Sequence, residues 1–226
     1  GESVHLAHIR AFREQGFYAA TDTELFDAFD ILYPYDLWPE YEDSTEGRAP
    51  LRRFFDAVNL QELSFRTEYN KLRCLENHDQ ARAAARFPGE ASLLAWTALS
   101  YFMKGTTLLY AGQEVCATHT PSLFEREPID WHSGKDISAY LRRLWELKHR
   151  LPTDAVFHID TDDAQGLVCA VYEGPAGKAV GLFPLHGRPG TAAVPLADGT
   201  YPNALGGTLT VKDGKAEITE SAIVLL

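Results

Sequence analysis

Long hydrophobic runs are missing from this chain. No apolar stretch approaches the roughly 20 residues that a membrane-spanning helix needs, so neither a spanning segment nor a membrane partner is expected. Clustered basic residues are missing too. The formal net charge is -11, and no Lys/Arg stripe offsets it locally, which argues against nucleic acid and anionic lipid as partners. Cysteine is scarce: Cys74, Cys116 and Cys169 are widely spaced and odd in number, with no CxxC and no His-rich spacing that would build a zinc site. They read as buried thiols and favour a reducing, cytoplasmic compartment, although any signal peptide would lie upstream of Gly1. Internal repeats and low-complexity segments are also lacking. What is present is 45% hydrophobic residues, enough for packed cores in a globular protein.

The most informative residues are 75–80, Leu-Glu-Asn-His-Asp-Gln, which close a short apolar run of Leu72, Cys74 and Leu75. In parallel α/β folds the chemistry sits at the carboxyl ends of strands, where loops converge on a ligand while packed strands hold them still. His78 and Asp79 are therefore the first functional candidates. Turn and cap chemistry is the other reading of the triplet: Asn77 takes a difficult backbone conformation and Asp79 caps a helix starting near Ala81.

LENHDQ followed by Arg82 resembles the strand-seven motif of the α-amylase superfamily, glycoside hydrolase family 13. Other segments agree in order. GESVH at the start resembles the stretch after strand five that carries the family's general acid/base. TTLLYAGQE, from Thr106 to Glu114, resembles strand eight and its loop. SLFEREPIDW, from Ser122 to Trp131, resembles the lead into the last barrel helix, and the remaining residues resemble the family's all-β C-terminal domain.

The resemblance implies a fold: an α/β part built from strands six to eight and the helices of a (β/α)8 barrel, residues 1–151, followed by an all-β sandwich, residues 152–226. A complete barrel takes about 250 residues. The family's catalytic Asp nucleophile belongs to strand four, for which this sequence offers no candidate, so the chain reads as the C-terminal portion of a glycosidase. Its expected partners are an α-glucan or oligosaccharide substrate and, against the open barrel edge, a missing N-terminal half or a second copy of the chain. No redox cofactor is implied. A calcium ion occurs in many relatives on ligands largely outside this stretch, and no residue here is assigned to a metal. A noncatalytic carbohydrate-binding or interaction protein derived from such an enzyme is the alternative.

The same resemblance implies roles. Glu2 matches the acid/base, a role that calls for partial burial and nearby negative charge to keep a proton near neutral pH. Asp79 matches the carboxylate that grips sugar hydroxyls as the ring flattens, rather than the nucleophile. His78 would donate to the same sugar, and Asn77 and Tyr35 complete the substrate-binding set. Tyr33, Tyr35 and Trp38 offer flat faces to sugar rings, with core packing the more frequent fate of such aromatics. Arg82 would orient a carboxylate or form a surface ion pair, the surface pair being the more frequent role; Glu114 is expected at the rim or just behind the substrate-contacting groups, and Trp131 in a structural place.

Periodicity gives the elements. Ser3 is placed to cap a helix with Leu6, Ile9 and Phe12 on its apolar side, ending at Gly16. Residues 26–31 read as strand six and residues 42–48 as a charged, irregular link. Pro50 opens an amphipathic helix carrying Leu51, Phe54, Phe55 and Val58. Residues 89–104 form a buried helix ended by Gly105, and residues 136–150 an amphipathic one with Ile137, Tyr140, Leu141, Leu144 and Leu147 on one stripe. After a boundary near 151–154, β runs are expected at 167–172, 179–183, 208–211 and 222–226.

Overall fold

A computed structural model of the chain describes residues 1–65, 68–132, 134–152 and 154–226. Thr153, inside the expected boundary segment, lies outside the described residues. The chain forms two compact units, Gly1–Arg73 with Lys104–Leu108, and Cys74–Met103 with Leu109–Leu226.

The first unit is organised by a parallel ladder. The Gly1 amino nitrogen donates to the Ile31 carbonyl at 2.9 Å, and the Tyr33 N–H donates back to the Gly1 carbonyl at 3.0 Å. Leu32 in turn bridges Lys71 in parallel. Strand β1 (Leu72–Arg73) pairs in parallel with β2 (Thr106–Thr107), with Thr106 N–H donating to the Lys71 carbonyl at 2.9 Å. Four chain segments thus lie side by side in sequence order, each joined to the next by a long crossover, as parallel pairing requires.

Helices fill the links between the first three. Helix α1 (Leu6–Glu14) is capped by His5, whose Nδ1 accepts from Ala7 N–H at 3.3 Å, not by Ser3. Only Ile9 of its expected apolar side is buried; Leu6 and Phe12 face outward. Gly16 follows in the left-handed conformation (φ +82). The expected strand over 26–31 is absent. Thr21 and Glu24 form a capping box, with Glu24 Oε2 accepting from the Thr21 N–H at 2.7 Å, and this starts helix α2 (Asp22–Leu25). Its i→i+4 bonds run on to Phe29, so extended backbone begins only at the Ile31–Tyr33 rung. Helix α3 (Trp38–Thr45) takes in the first part of the charged segment expected to be irregular. Helix α4 (Leu51–Ser64) buries Leu51, Phe54, Phe55 and Val58, as their spacing requires. An aromatic chain runs from Trp38 through Tyr41 (4.9 Å) and Phe54 (5.6 Å) to Phe55 (5.0 Å), joining α3 to α4.

In the second unit, α5 (Ala83–Arg86) and α6 (Glu90–Phe102) follow the LENHDQ turn. Helix α7 (Ser138–Lys148) buries Leu141, Leu144 and Leu147, while Trp145 on its other side is exposed. Eight strands come next: β3 (Val156–Asp162), β4 (Leu167–Gly174), β5 (Gly177–Pro184), β6 (Gly190–Ala193), β7 (Gly199–Pro202), β8 (Thr208–Val211), β9 (Lys215–Ile218) and β10 (Ala222–Leu225). They form an antiparallel sheet in the order β10-β5-β4-β3 and two antiparallel pairs, β6-β9 and β7-β8.

The central strands β4 and β5 are buried on both faces. One face sets Cys169, Val180, Leu182 and Val224 against Leu209, Val211 and Ile218. The other meets α6: the Phe102 ring lies 5.3 Å from Tyr172 and 5.5 Å from Phe183, and the Tyr172 hydroxyl donates to the Phe102 carbonyl at 2.9 Å. Gly181 permits this approach, because a Cβ there would sit 2.6 Å from the Phe183 ring and 3.2 Å from the Phe102 ring. Among the described residues no helix is long and apolar enough to cross a membrane.

Candidate active site

In the first unit, Glu2 is exposed directly after the Gly1 rung, without the partial burial expected of it. Ser3 is buried, and its hydroxyl donates to the Tyr33 carbonyl. Beneath lies Lys71, wholly buried, whose ammonium donates to Asp22 Oδ2, to Asp36 Oδ1 at 2.7 Å and to the Tyr33 carbonyl at 3.3 Å. Gln61 Nε2 donates to the other Asp36 oxygen at 2.6 Å. Two carboxylates thus share one ammonium. Burial, and then the charge of Asp36, push the Asp22 carboxyl up to about 6 against the pull of Lys71. Tyr35 is half-buried and stacks on Tyr33 with centroids 5.0 Å apart, which leaves part of each ring facing out, while Trp38 is buried.

In the second unit, Asn77 is buried and turns the chain. Its Oδ1 accepts from the Asp79 N–H at 2.9 Å, an Asx turn. This turn displays His78 and Asp79 together on the surface, with His78 Nε2 3.4 Å from Asp79 Oδ1. Asn77 is not among the described residues with left-handed backbone, and Asp79 caps no helix. The cap comes from Glu76, whose Oε2 accepts from the Ala83 N–H at 2.5 Å.

Arg82 takes the less expected of its two roles, holding a carboxylate rather than forming a surface ion pair: it is 1% exposed. Its Nη1 donates to Glu76 Oε1 at 2.7 Å and to the Ala111 carbonyl at 2.9 Å, its Nε donates to the His119 carbonyl at 3.2 Å, and its guanidinium lies 4.5 Å from the Tyr110 ring centre. The pair ties the turn that carries His78 and Asp79 to the segment after β2. Burial pushes the Glu76 carboxyl up, while the bonds from Ala83 and Arg82 oppose the shift. Glu114 is half-buried and accepts from the Gly112 N–H at 2.8 Å. Trp131, expected in a structural place, is half exposed.

A cavity of about 480 Å³ in this unit is lined by Arg82, Phe87, Cys116, His119 and Glu127 but by neither His78 nor Asp79, which stand on open surface. Among the described residues no group of three or more His, Cys, Asp or Glu side chains is disposed to hold a metal ion. Sequence reasoning passed over Lys71, Asp22, Asp36 and Glu76. The available signal was a lysine at the head of an apolar strand, where an unpaired ammonium is too costly to bury.

Residues 158–225 match the family model described as Bacterial Alpha amylase C-terminal domain. No curated protein matches the chain in sequence. Among solved structures, an α-amylase from Lactobacillus plantarum superposes with a TM-score of 0.91 at 30% identity, over 100% of this chain and 54% of that one. A noncanonic maltogenic α-amylase from Thermotoga neapolitana gives 0.77 at 21% identity over 98% and 57%. An α-amylase from Anoxybacillus gives 0.72 at 18% over 100% and 51%. The last two likenesses establish fold alone. The chain spans about half the length of these solved relatives.

Proposed function

Because the chain belongs to the α-amylase family, we propose that it is part of a glycoside hydrolase or transglycosylase that cleaves α-glucosidic bonds of α-glucans with retention. On this reading, the parallel rungs at Gly1, Leu32, Lys71 and Thr106 are consecutive strands, five to eight, of a (β/α)8 barrel, and the β-rich residues after α7 form a sandwich. The observation that supports the reading is where the polar residues come along the chain relative to the parallel strands. Glu2 follows the first rung and the His78–Asp79 pair follows the strand of the third, which are carboxyl ends, where barrel enzymes keep their chemistry.

The roles follow from the chemistry. Glu2 gives its proton to the leaving glycosidic oxygen as the bond from C1 breaks, and then takes a proton from the water or sugar acceptor. Asp79 accepts hydrogen bonds from ring hydroxyls, bonds that strengthen as positive charge builds on the flattened ring. His78 donates to the same sugar, and the Tyr33–Tyr35 stack offers an apolar platform. The nucleophile that would form the glycosyl-enzyme is an Asp outside these 226 residues, so the chain alone should not turn over α-glucans.

In the enzyme that contains this chain, Glu2→Gln and Asp79→Asn should each lower kcat on maltooligosaccharides by about 100-fold or more. The melting temperature should stay nearly unchanged, since both side chains are exposed. Full turnover in either variant would remove that residue from the mechanism. Turnover of maltooligosaccharides by the 226 residues alone would overturn the assignment of the nucleophile.

A further inference from the structure

Lys71 has no part in the chemistry just assigned, yet it occupies a place where an apolar side chain of similar volume would avoid the cost of burying a charge. All three of its N–H donors are used, on Asp22, Asp36 and the Tyr33 carbonyl, and the rings of Phe65 and Phe26 stand 5.7 and 6.0 Å from the ammonium. The backbone of Tyr33 is what links this cluster to Glu2. Its N–H donates to the Gly1 carbonyl at 3.0 Å and its carbonyl accepts from the Ser3 hydroxyl, so the residues on both sides of Glu2 are fastened to one residue. That residue is fastened from below by Lys71, and Lys71 by carboxylates from two different links of the ladder.

We propose that Lys71 is a positioning residue for Glu2: through Tyr33 and Ser3 it fixes the backbone on which the acid/base is carried, and so sets the direction from which the proton reaches the leaving oxygen. The inference rests on the reading of Glu2 as the acid/base. Its signature differs from that of a stability defect. A glycosidic oxygen leaving as an alcohol needs the proton, whereas fluoride leaves without one, so misplacing the acid slows cleavage of a maltooligosaccharide far more than cleavage of α-glucosyl fluoride.

The test uses the enzyme that contains this chain, with kcat and KM measured on both substrates. Lys71→Met should lower kcat/KM, which reports the bond-breaking step, at least tenfold more on the maltooligosaccharide than on the fluoride, since the later step in which Glu2 accepts a proton is common to both substrates. Ser3→Ala, which removes only the upper link, should shift the same ratio in the same direction by a smaller factor, and it decides the matter if Lys71→Met does not fold. Glu2→Ala is the reference. If Glu2→Ala shows the selective loss while Lys71→Met and Ser3→Ala slow both substrates equally, or neither, then Lys71 is merely structural and the proposal is wrong. If Glu2→Ala itself shows no preference between leaving groups, the acid/base reading fails and the positioning role goes with it.

Discussion

At the scale of single residues, the buried charges separate into two kinds. Arg82 and Glu76 form a pair in which each partner also serves the backbone: the guanidinium satisfies two carbonyls and the carboxylate caps α5. Removing one member strands the other in a dry site, which costs about 3–5 kcal/mol. Arg82→Met should therefore lower unfolding free energy by that amount in urea titration. Adding Glu76→Leu should restore only part of it, because the apolar replacement removes the stranded charge but not the lost cap. Full restoration would mean that the cap contributes nothing. Asp22 is the other kind, a carboxyl raised from 3.8 to about 6. The folded state holds this proton more tightly than the unfolded chain, so its stabilising contribution is complete below about pH 4 and is lost as pH rises through about 6. Compared with Asp22→Asn, the wild type should be relatively most stable near pH 4 and lose that margin by pH 7. A margin that grows with pH would mean that Lys71, not burial, governs this carboxyl.

At the scale of elements, glycines in the left-handed region differ by what surrounds them. Gly16 (φ +82) has open space where a Cβ would go, so Gly16→Ala should cost only the backbone term of about 1–2 kcal/mol. Gly105 (φ +118) would drive a Cβ to 2.3 Å from the Lys71 carbonyl oxygen, in the rung next to β2. Gly105→Ala should add a clash that neither backbone can relieve, for a total of about 4 kcal/mol or more. Equal denaturation midpoints for the two variants would refute this. The elements legible in the sequence were those whose pattern is long: α4 and α7 through their apolar stripes, α6 through its all-round burial, β4 and β5 through continuous apolar runs. Residues 26–31 misled because β-prone Phe and Ile stand next to a capping box that starts a helical turn, and local hydrogen bonds decide over propensity there. Strands β6, β7 and β9 have four residues each and few apolar ones, too little for a period to register. The turn that closes the apolar run of β1 and exposes His78 and Asp79 was legible from the motif. The burial of Arg82 was not, since beside Glu76 it needs the carbonyls of Ala111 and His119, which come from a separate segment.

At the scale of the whole molecule, the ladder of the first unit raises a question of edges. Among the described residues β2 pairs with β1 alone, and Gly1 is bonded across the ladder to the 31–33 segment. A parallel ladder of one- and two-residue rungs has little hydrogen bonding with which to hold itself, and barrels escape the liability of free strand edges by closing. Beside it, Leu6, Phe12, Phe17 and Tyr18 expose apolar surface around α1. That surface favours association, whereas a net charge of -11 on every copy opposes it at long range. Salt decides between them: at 0.1 M the Debye length is about 10 Å, and repulsion between copies is then largely screened, while the apolar contact is not. The purified 226-residue chain should therefore scatter as larger species as its concentration reaches tens of micromolar. The mean mass should rise further as salt is raised from about 10 to 300 mM, because screening removes the opposing term. Limited proteolysis should meanwhile cut within residues 26–110 sooner than within the β strands after residue 156. A monomer at every salt concentration, with residues 26–110 fully resistant, would show that the ladder needs neither a second copy nor another covering partner.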